Sequence, residues 1–194
     1  MKLACKIFLL IFCLSSLNAY AMVSKRGLDA TEVQKIDAVK NARLHSNMGN
    51  IYFEEKKYIA ALKEYEIAYM ISEDTQAAGT YLYNIARCFM QIGNYELALN
   101  AIKGAIEKDC MNLVYYQTLV NCYYGLGNPL DRIEEHLKDT NNPYNRVIIG
   151  LIYLRTGQRS AGIGVFDEFI NDYPDMLISD DIRFLLDRIE KNML

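Results

Sequence analysis

The stretch NIARCFMQIGNYELALNAIKGA, Asn84 to Ala105, decides the fold. Small side chains alternate with large apolar ones on either side of Gly93-Asn94-Tyr95. Marking Ala86, Phe89, Ala98, Ile102 and Ala105 leaves gaps of 3, 9, 4 and 3. Upstream, NMGNIYFEEKKYIAALKEYEIAY (47–69) carries Gly49, Tyr52, Ala61, Tyr65 and Ala68 at the same four gaps. Downstream, TLVNCYYGLGNPLDRIEEHLKD (118–139) keeps Val120 and Tyr123 and sets Gly127-Asn128 against Gly93-Asn94. It then departs, with Arg132, His136 and Asp139 at the three later places. A fourth copy, IIGLIYLRTGQRSAGIGVFDEFINDYP (148–174), supplies Gly150, Tyr153, Gly162, Phe166 and Phe169 and closes on Pro174. Successive copies are offset by 37, 34 and 30 residues. A period near 34 with two helical segments per copy is the signature of a solenoid.

On these residues the chain resembles the tetratricopeptide repeats. The two strongest units are 42–75 and 79–112, and 113–142 and 143–174 are degenerate copies. The resemblance implies an all-α fold, an α-solenoid of tandem helix–turn–helix repeats with a C-terminal capping helix. Small residues would stand where the two helices of a unit cross: Gly49, Ala61 and Ala68 in the first, Ala86, Ala98 and Ala105 in the second. The rings of Tyr52, Tyr65 and Phe89 would fill the space beside them. Gly93 would take a positive backbone angle after the first helix, and Tyr58 and Tyr95 fall early in the second helices. Pro129 and Thr140–Pro143 break the third unit, and Gly162 and Gly164 each cost about 1 kcal/mol against Ala inside a helix. The later helices are therefore expected to be shorter or more mobile.

Both flanks read as helical. Residues 22–41 form a lead-in, with Thr31 and Gln34 as a capping box before an apolar stripe through Val33, Ile36 and Val39. Residues 175–194 hold the capping helix, expected over 179–192 with Ser179 or Asp180 as its N-cap. Its Ile182, Leu185, Leu186 and Ile189 would cover the last repeat. The first 21 residues have the basic start, the apolar run Ile7–Leu17 and the Ala19-Tyr20-Ala21 cleavage pattern of a signal peptide. The apolar run is shorter than the roughly 20 residues of a membrane span, so no stable membrane insertion is expected after cleavage. The expected location is outside the cytoplasm, periplasmic or secreted.

Loss of Lys2 and Lys6 with that leader takes the formal net charge from −3 to −5. An acidic chain without clustered Lys and Arg is unsuited to nucleic acid or an anionic membrane surface. Cys88, Cys110 and Cys122 then remain, an odd number and too few for a disulfide framework. Cys88 and Cys122, 34 apart, read as small apolar fillers in equivalent places, and Cys110 as the one accessible thiol. His45 and His136 lack metal-ligand spacing, and His45 reads as a packed side chain. Gly125-Leu126-Gly127 reads as a turn. The acidic pairs Glu54-Glu55, Glu134-Glu135 and Asp180-Asp181 point about 100° apart on a helix. The sequence therefore assigns no catalytic residue, no metal site and no cofactor, and the chain does not read as an enzyme.

Members of the family that this chain resembles hold peptides or proteins in the groove lined by the first helix of each unit. The matching positions are Asn47, Asn50 and Phe53; Tyr83, Asn84, Arg87 and Met90; and Gln117, Asn121 and Tyr124. Amides there can bond a peptide backbone, and rings give contact area at low entropic cost. Asn50 and Asn84 match the two amides of the family's terminal-carboxylate clamp, but Ser46, Val114 and Thr118 stand in its cationic places. The resemblance implies a protein or peptide partner for a non-catalytic scaffold. FDEFINDYPD in the fourth unit is similar to repeats of envelope, pilus or secretion assembly factors. The alternative is a structural subunit of a self-associating homo-oligomer.

Overall fold

The computed structural model describes residues 30–127, 129–139 and 141–191. The leader, the lead-in up to residue 29, Asn128 and Thr140 lie outside them, as does the side chain of Thr31 on which the capping box depends. Nine helices and no strands make up the described residues. They are α1 (Ala30–Glu54), α2 (Tyr58–Ser72), α3 (Ala77–Ile92), α4 (Tyr95–Lys108), α5 (Leu113–Leu126), α6 (Asp131–Leu137), α7 (Tyr144–Arg155), α8 (Arg159–Asp172) and α9 (Leu177–Glu190). Helices pack as pairs within units, α1 with α2, α3 with α4 and α7 with α8; between units α2 meets α3, α4 meets α5, α6 meets α7 and α5 meets α7. The architecture is the α-solenoid of helical repeats that the periodicity predicts. From Ala30 the lead-in is helical and runs without interruption into the first repeat helix through Ala42.

The repeats close by one backbone device. Gly93, Gly127 and Gly157 have φ of 84°, 87° and 83°, and Lys56 stands in the equivalent place of the first unit at φ 60°. After α1, α3 and α7 the turn makes the same paired bonds. Lys56 N–H donates to Phe53 C=O and Lys57 N–H to Tyr52 C=O. Gly93 and Asn94 do so to Met90 and Phe89, and Gly157 and Gln158 to Leu154 and Tyr153. These satisfy carbonyls that a helix end leaves without partners. Asn94 then caps α4, its side-chain oxygen accepting from Leu97 N–H at 3.2 Å. Lys56 is the only non-glycine residue at positive φ among the described residues, and its Cβ carries the left-handed penalty that glycine escapes. Lys56→Gly should stabilise the chain by roughly 0.5–1 kcal/mol. An unchanged or lower urea midpoint would refute this.

In the first and fourth units a crossing glycine meets a large ring 16 positions later, and their sizes compensate. A methyl group on Gly49 would sit 2.6 Å from the Tyr65 ring, and one on Gly150 would sit 2.7 Å from Phe166. In the second unit the corresponding pair is Ala86 and Ile102, a larger residue facing a smaller partner, both fully buried. In the third unit the place 16 positions after Val120 is held by His136, whose ring lies 5.9 Å from that of Tyr123. That imidazole is hydrogen-bonded at both nitrogens. Nδ1 is 2.9 Å from Asn145 Oδ1 and Nε2 is 3.3 Å from the Tyr123 hydroxyl. Burial lowers the His136 pKa, so the neutral ring is the form the packing favours.

Three expectations need correction. The helix α8 spans 14 residues, as long as α4, so Gly162 does not shorten it. A side chain at Gly162 would sit 2.8 Å from Leu154 and 3.0 Å from the Gly150 carbonyl, so close helix crossing is what the glycine permits. Of the later helices α6, with 7 residues, and α7, with 12, are shorter than those of the first two units, as expected. Gly125 is not part of a turn but the penultimate residue of α5, and the Tyr95 ring lies where its Cβ would be, at 2.3 Å. Finally, Ser179 is inside α9, which starts at Leu177. Its fully buried hydroxyl donates to the Tyr173 carbonyl at 2.6 Å and ties the helix to the preceding loop. Beyond it Ile178, Ile182, Leu185 and Ile189 are buried, the cover that the C-terminal pattern predicts.

Candidate functional site

Of the units' first helices, α1, α3 and α5 carry the predicted binding positions, which fall into two parts. In the first two units the side chains are engaged with one another. The Arg87 guanidinium lies 4.2 Å above the Phe53 ring and 5.6 Å from that of Tyr83, and Tyr83 stacks on Tyr115 at 5.4 Å. Phe53 also meets Tyr58 edge-on at 5.3 Å. Asn84 is buried and accepts from Arg87 at 3.2 Å, and Asn50 accepts from the Tyr65 hydroxyl at 2.7 Å. Both clamp-like amide oxygens are thus occupied within the chain. Asn47 is exposed, and Met90 is half-buried against the core. This part is a π-stacked wall, with each planar cationic or aromatic face covered by the next.

In the third and fourth units the face opens. A cleft of about 660 Å³ lies between α5, α7 and α9, lined by Gln117, Val120, Asn121, Leu151, Leu154, Arg155 and Leu185. Gln117 and Asn121 are one helical turn apart on α5, so their amides share a face. Val120, Leu151, Leu154 and Leu185 provide apolar surface. Tyr124 is exposed at the rim, with Arg155 4.6 Å above its ring. The sequence-predicted residues therefore reach only one side of this cleft. Leu151 and Leu154 were legible, since they follow Asn121 and Tyr124 by the same 30-residue offset that relates units three and four. Arg155 and Leu185 had no such signal. Leu185 enters because α9 packs on α8 and also reaches α5.

The remaining chemistry-bearing side chains are structural. His45 Nδ1 is 2.7 Å from Glu64 Oε2, a half-buried link between α1 and α2. Cys88 and Cys122 are fully buried free thiols, pushed up to about 12 and about 11 by that burial. They are inert at neutral pH, where the thiolate is the reactive form. Cys110 is half-buried, its Sγ 3.3 Å from the Tyr144 hydroxyl. Among the described residues no cluster of three His, Cys, Asp or Glu could hold a metal, and no helix is long and apolar enough to cross a membrane.

A family model for the tetratricopeptide repeat matches residues 145–175, the α7–α8 pair, and another matches 79–107, the α3–α4 pair. These two segments are what the repeat models recognise in the chain. The fourth unit, read from its glycines as a degenerate copy, is thus recognised in its own right. A TPR repeat-containing protein of Methanocaldococcus jannaschii is 29% identical over 143 residues, covering 72% of this chain and 24% of that protein. A DnaJ homolog subfamily C member 7 homolog of Schizosaccharomyces pombe is 31% identical over 134 residues, covering 58% of this chain and 27% of that protein. The chain spans about a quarter of the length of these curated relatives. Among solved structures, the Arabidopsis OM64 TPR domain superposes with a TM-score of 0.47 at 15% identity, covering 70% of this chain and 98% of its own. Pseudomonas aeruginosa pilF gives 0.46 at 13% identity, over 74% and 66%. Tetratricopeptide repeats are protein-interaction modules, generally without catalytic activity.

Proposed function

We propose that this chain is an exported, non-catalytic scaffold that holds an extended segment of a protein partner on its first-helix face, in the assembly of an envelope, pilus or secretion complex. The observation that carries the reading is the open cleft beside Gln117 and Asn121. Paired amides border an apolar floor, the combination that bonds a peptide backbone while burying one of its side chains. The leader pattern in residues 1–21 supports export, to the periplasm or beyond the cell.

The test is affinity capture from an envelope extract of the source organism with the intact chain and with a Tyr83→Ala/Asn121→Ala variant of matching helical circular dichroism. A partner retained by the parent and lost by the variant is expected. Equal retention by both would move the binding surface off this face. A second reading, self-association, is favoured by a separate observation. Leu44, Met48 and Ile51 form an exposed stripe on α1, opposite the buried Ala42 and Ser46, on the first of the described helices. Light scattering that shows an oligomer dispersed by Met48→Lys would put that reading first.

A further inference from the structure

We infer that Arg155 makes the cleft selective for an extended peptide in which an aliphatic or aromatic side chain is followed closely by an internal Asp or Glu. The inference rests on the groove reading above and adds the chemistry of the partner. Arg155 ends α7, where a cation is favoured by the helix dipole by about 0.3–1 kcal/mol. That role alone requires only a charge near the last turn. Here the guanidinium is also laid over the Tyr124 ring at 4.6 Å. Stacking uses the flat face of the group and leaves its in-plane N–H donors at the edge, the geometry that takes a carboxylate bidentately.

Among the described residues those donors have no partner. Arg132, Arg146 and Arg183 each hold a carboxylate, of Glu135, Asp172 and Asp180. Arg155 makes neither an ion pair nor a hydrogen bond to any described residue. No carboxylate lines the cleft. Asp131 lines an adjoining recess with Tyr124, Pro129, Leu130 and Thr156, on which Arg155 also borders, but it lies outside ion-pair distance. In a chain with 24 acidic and 21 basic residues, an unpaired cation beside an apolar floor is a local reversal of sign. Burial of a neighbouring peptide side chain on Val120, Leu151, Leu154 and Leu185 would partly desolvate the guanidinium and strengthen its pairing with a carboxylate. Gln117 and Asn121 supply the contacts to the peptide backbone.

A display selection of random heptapeptides on the immobilised intact chain tests this, run in parallel on Arg155→Glu, with Arg155→Gln as a neutral control. Arg155 is exposed, and matching circular dichroism would show that the variants fold. The parent should enrich Asp or Glu beside Leu, Ile, Met or Phe. A selected peptide, made in soluble form, should bind at least about tenfold more weakly to Arg155→Glu by fluorescence anisotropy. Selection on Arg155→Glu should lose the acidic preference. Enriched peptides without acidic residues, or acidic ones bound equally by Arg155→Glu, would overturn the inference and leave the groove reading standing. No enrichment above background on any of the three proteins would overturn both.

Discussion

Raising the pH above 9 should unfold this protein in a steep step rather than titrate it gradually. Burial pushes Tyr65 and Tyr123 up to about 12 from 10.0, and Cys88 up to about 12 from 9.0. Tyr116, 1% exposed, is raised further by the same cause. Each of these groups holds its proton more tightly in the folded chain than in the unfolded one. Its contribution to stability is complete below the unfolded pKa and is lost as pH rises from there to the folded value. One unit corresponds to about 1.4 kcal/mol, so Tyr65 and Cys88 together represent several kcal/mol. A domain's whole stability is about 5–15 kcal/mol. Helical circular dichroism and the part of the tyrosinate absorbance that comes from the buried phenols should change together, between the unfolded and folded pKa values. Replacing Tyr65 with Phe and Cys88 with Ala should move that midpoint to higher pH. Complete formation of tyrosinate, with the full amplitude of all tyrosines, while the helices stay intact would show that the buried phenols are not held by the fold.

Gly150→Ala should destabilise the chain by about 2 kcal/mol, although Ala is favoured over Gly by about 1 kcal/mol inside a helix. The new methyl would stand 2.7 Å from the Phe166 ring, which is fully buried and cannot swing out. The second unit shows the remedy, because Ala86 is accommodated there by Ile102. Phe166→Ile alone should cost about 1–2 kcal/mol in lost packing. Combined with Gly150→Ala it should cost clearly less than the two separate effects added together. A double-mutant cycle in urea measures this. A coupling near zero would mean that the two residues tolerate change independently and that size matching across the crossing is not what holds the unit.

Much of this architecture was legible from spacing. Equal gaps in the first two units predicted the helix pairs, and Gly93 and Gly127 marked turns; Gly157 emerged as the third from the structure. The crossing pairs at an offset of 16 could be read as small against large. The errors arose where a local rule was applied to a residue with a long-range role. Ser179 suits an N-cap, but its hydroxyl is taken by the Tyr173 carbonyl. Gly162 suits a helix breaker, but it lies against Leu154 and the Gly150 backbone of the facing helix. The predicted face was located by helix periodicity, yet its amides proved unequal. Asn84 is engaged with Arg87, while Gln117 and Asn121 border an open cleft.

The sequence by itself determined the repeat, the helix pairs and the turns, because these depend on backbone preferences and on neighbours within one period. Only the tertiary structure decided that Arg87 covers Phe53, that Arg155 covers Tyr124, and that α9 brings Leu185 to α5. Such contacts depend on the angle between successive units. That angle is set by packing between residues some 30 or more positions apart, and no periodicity in the chain records it.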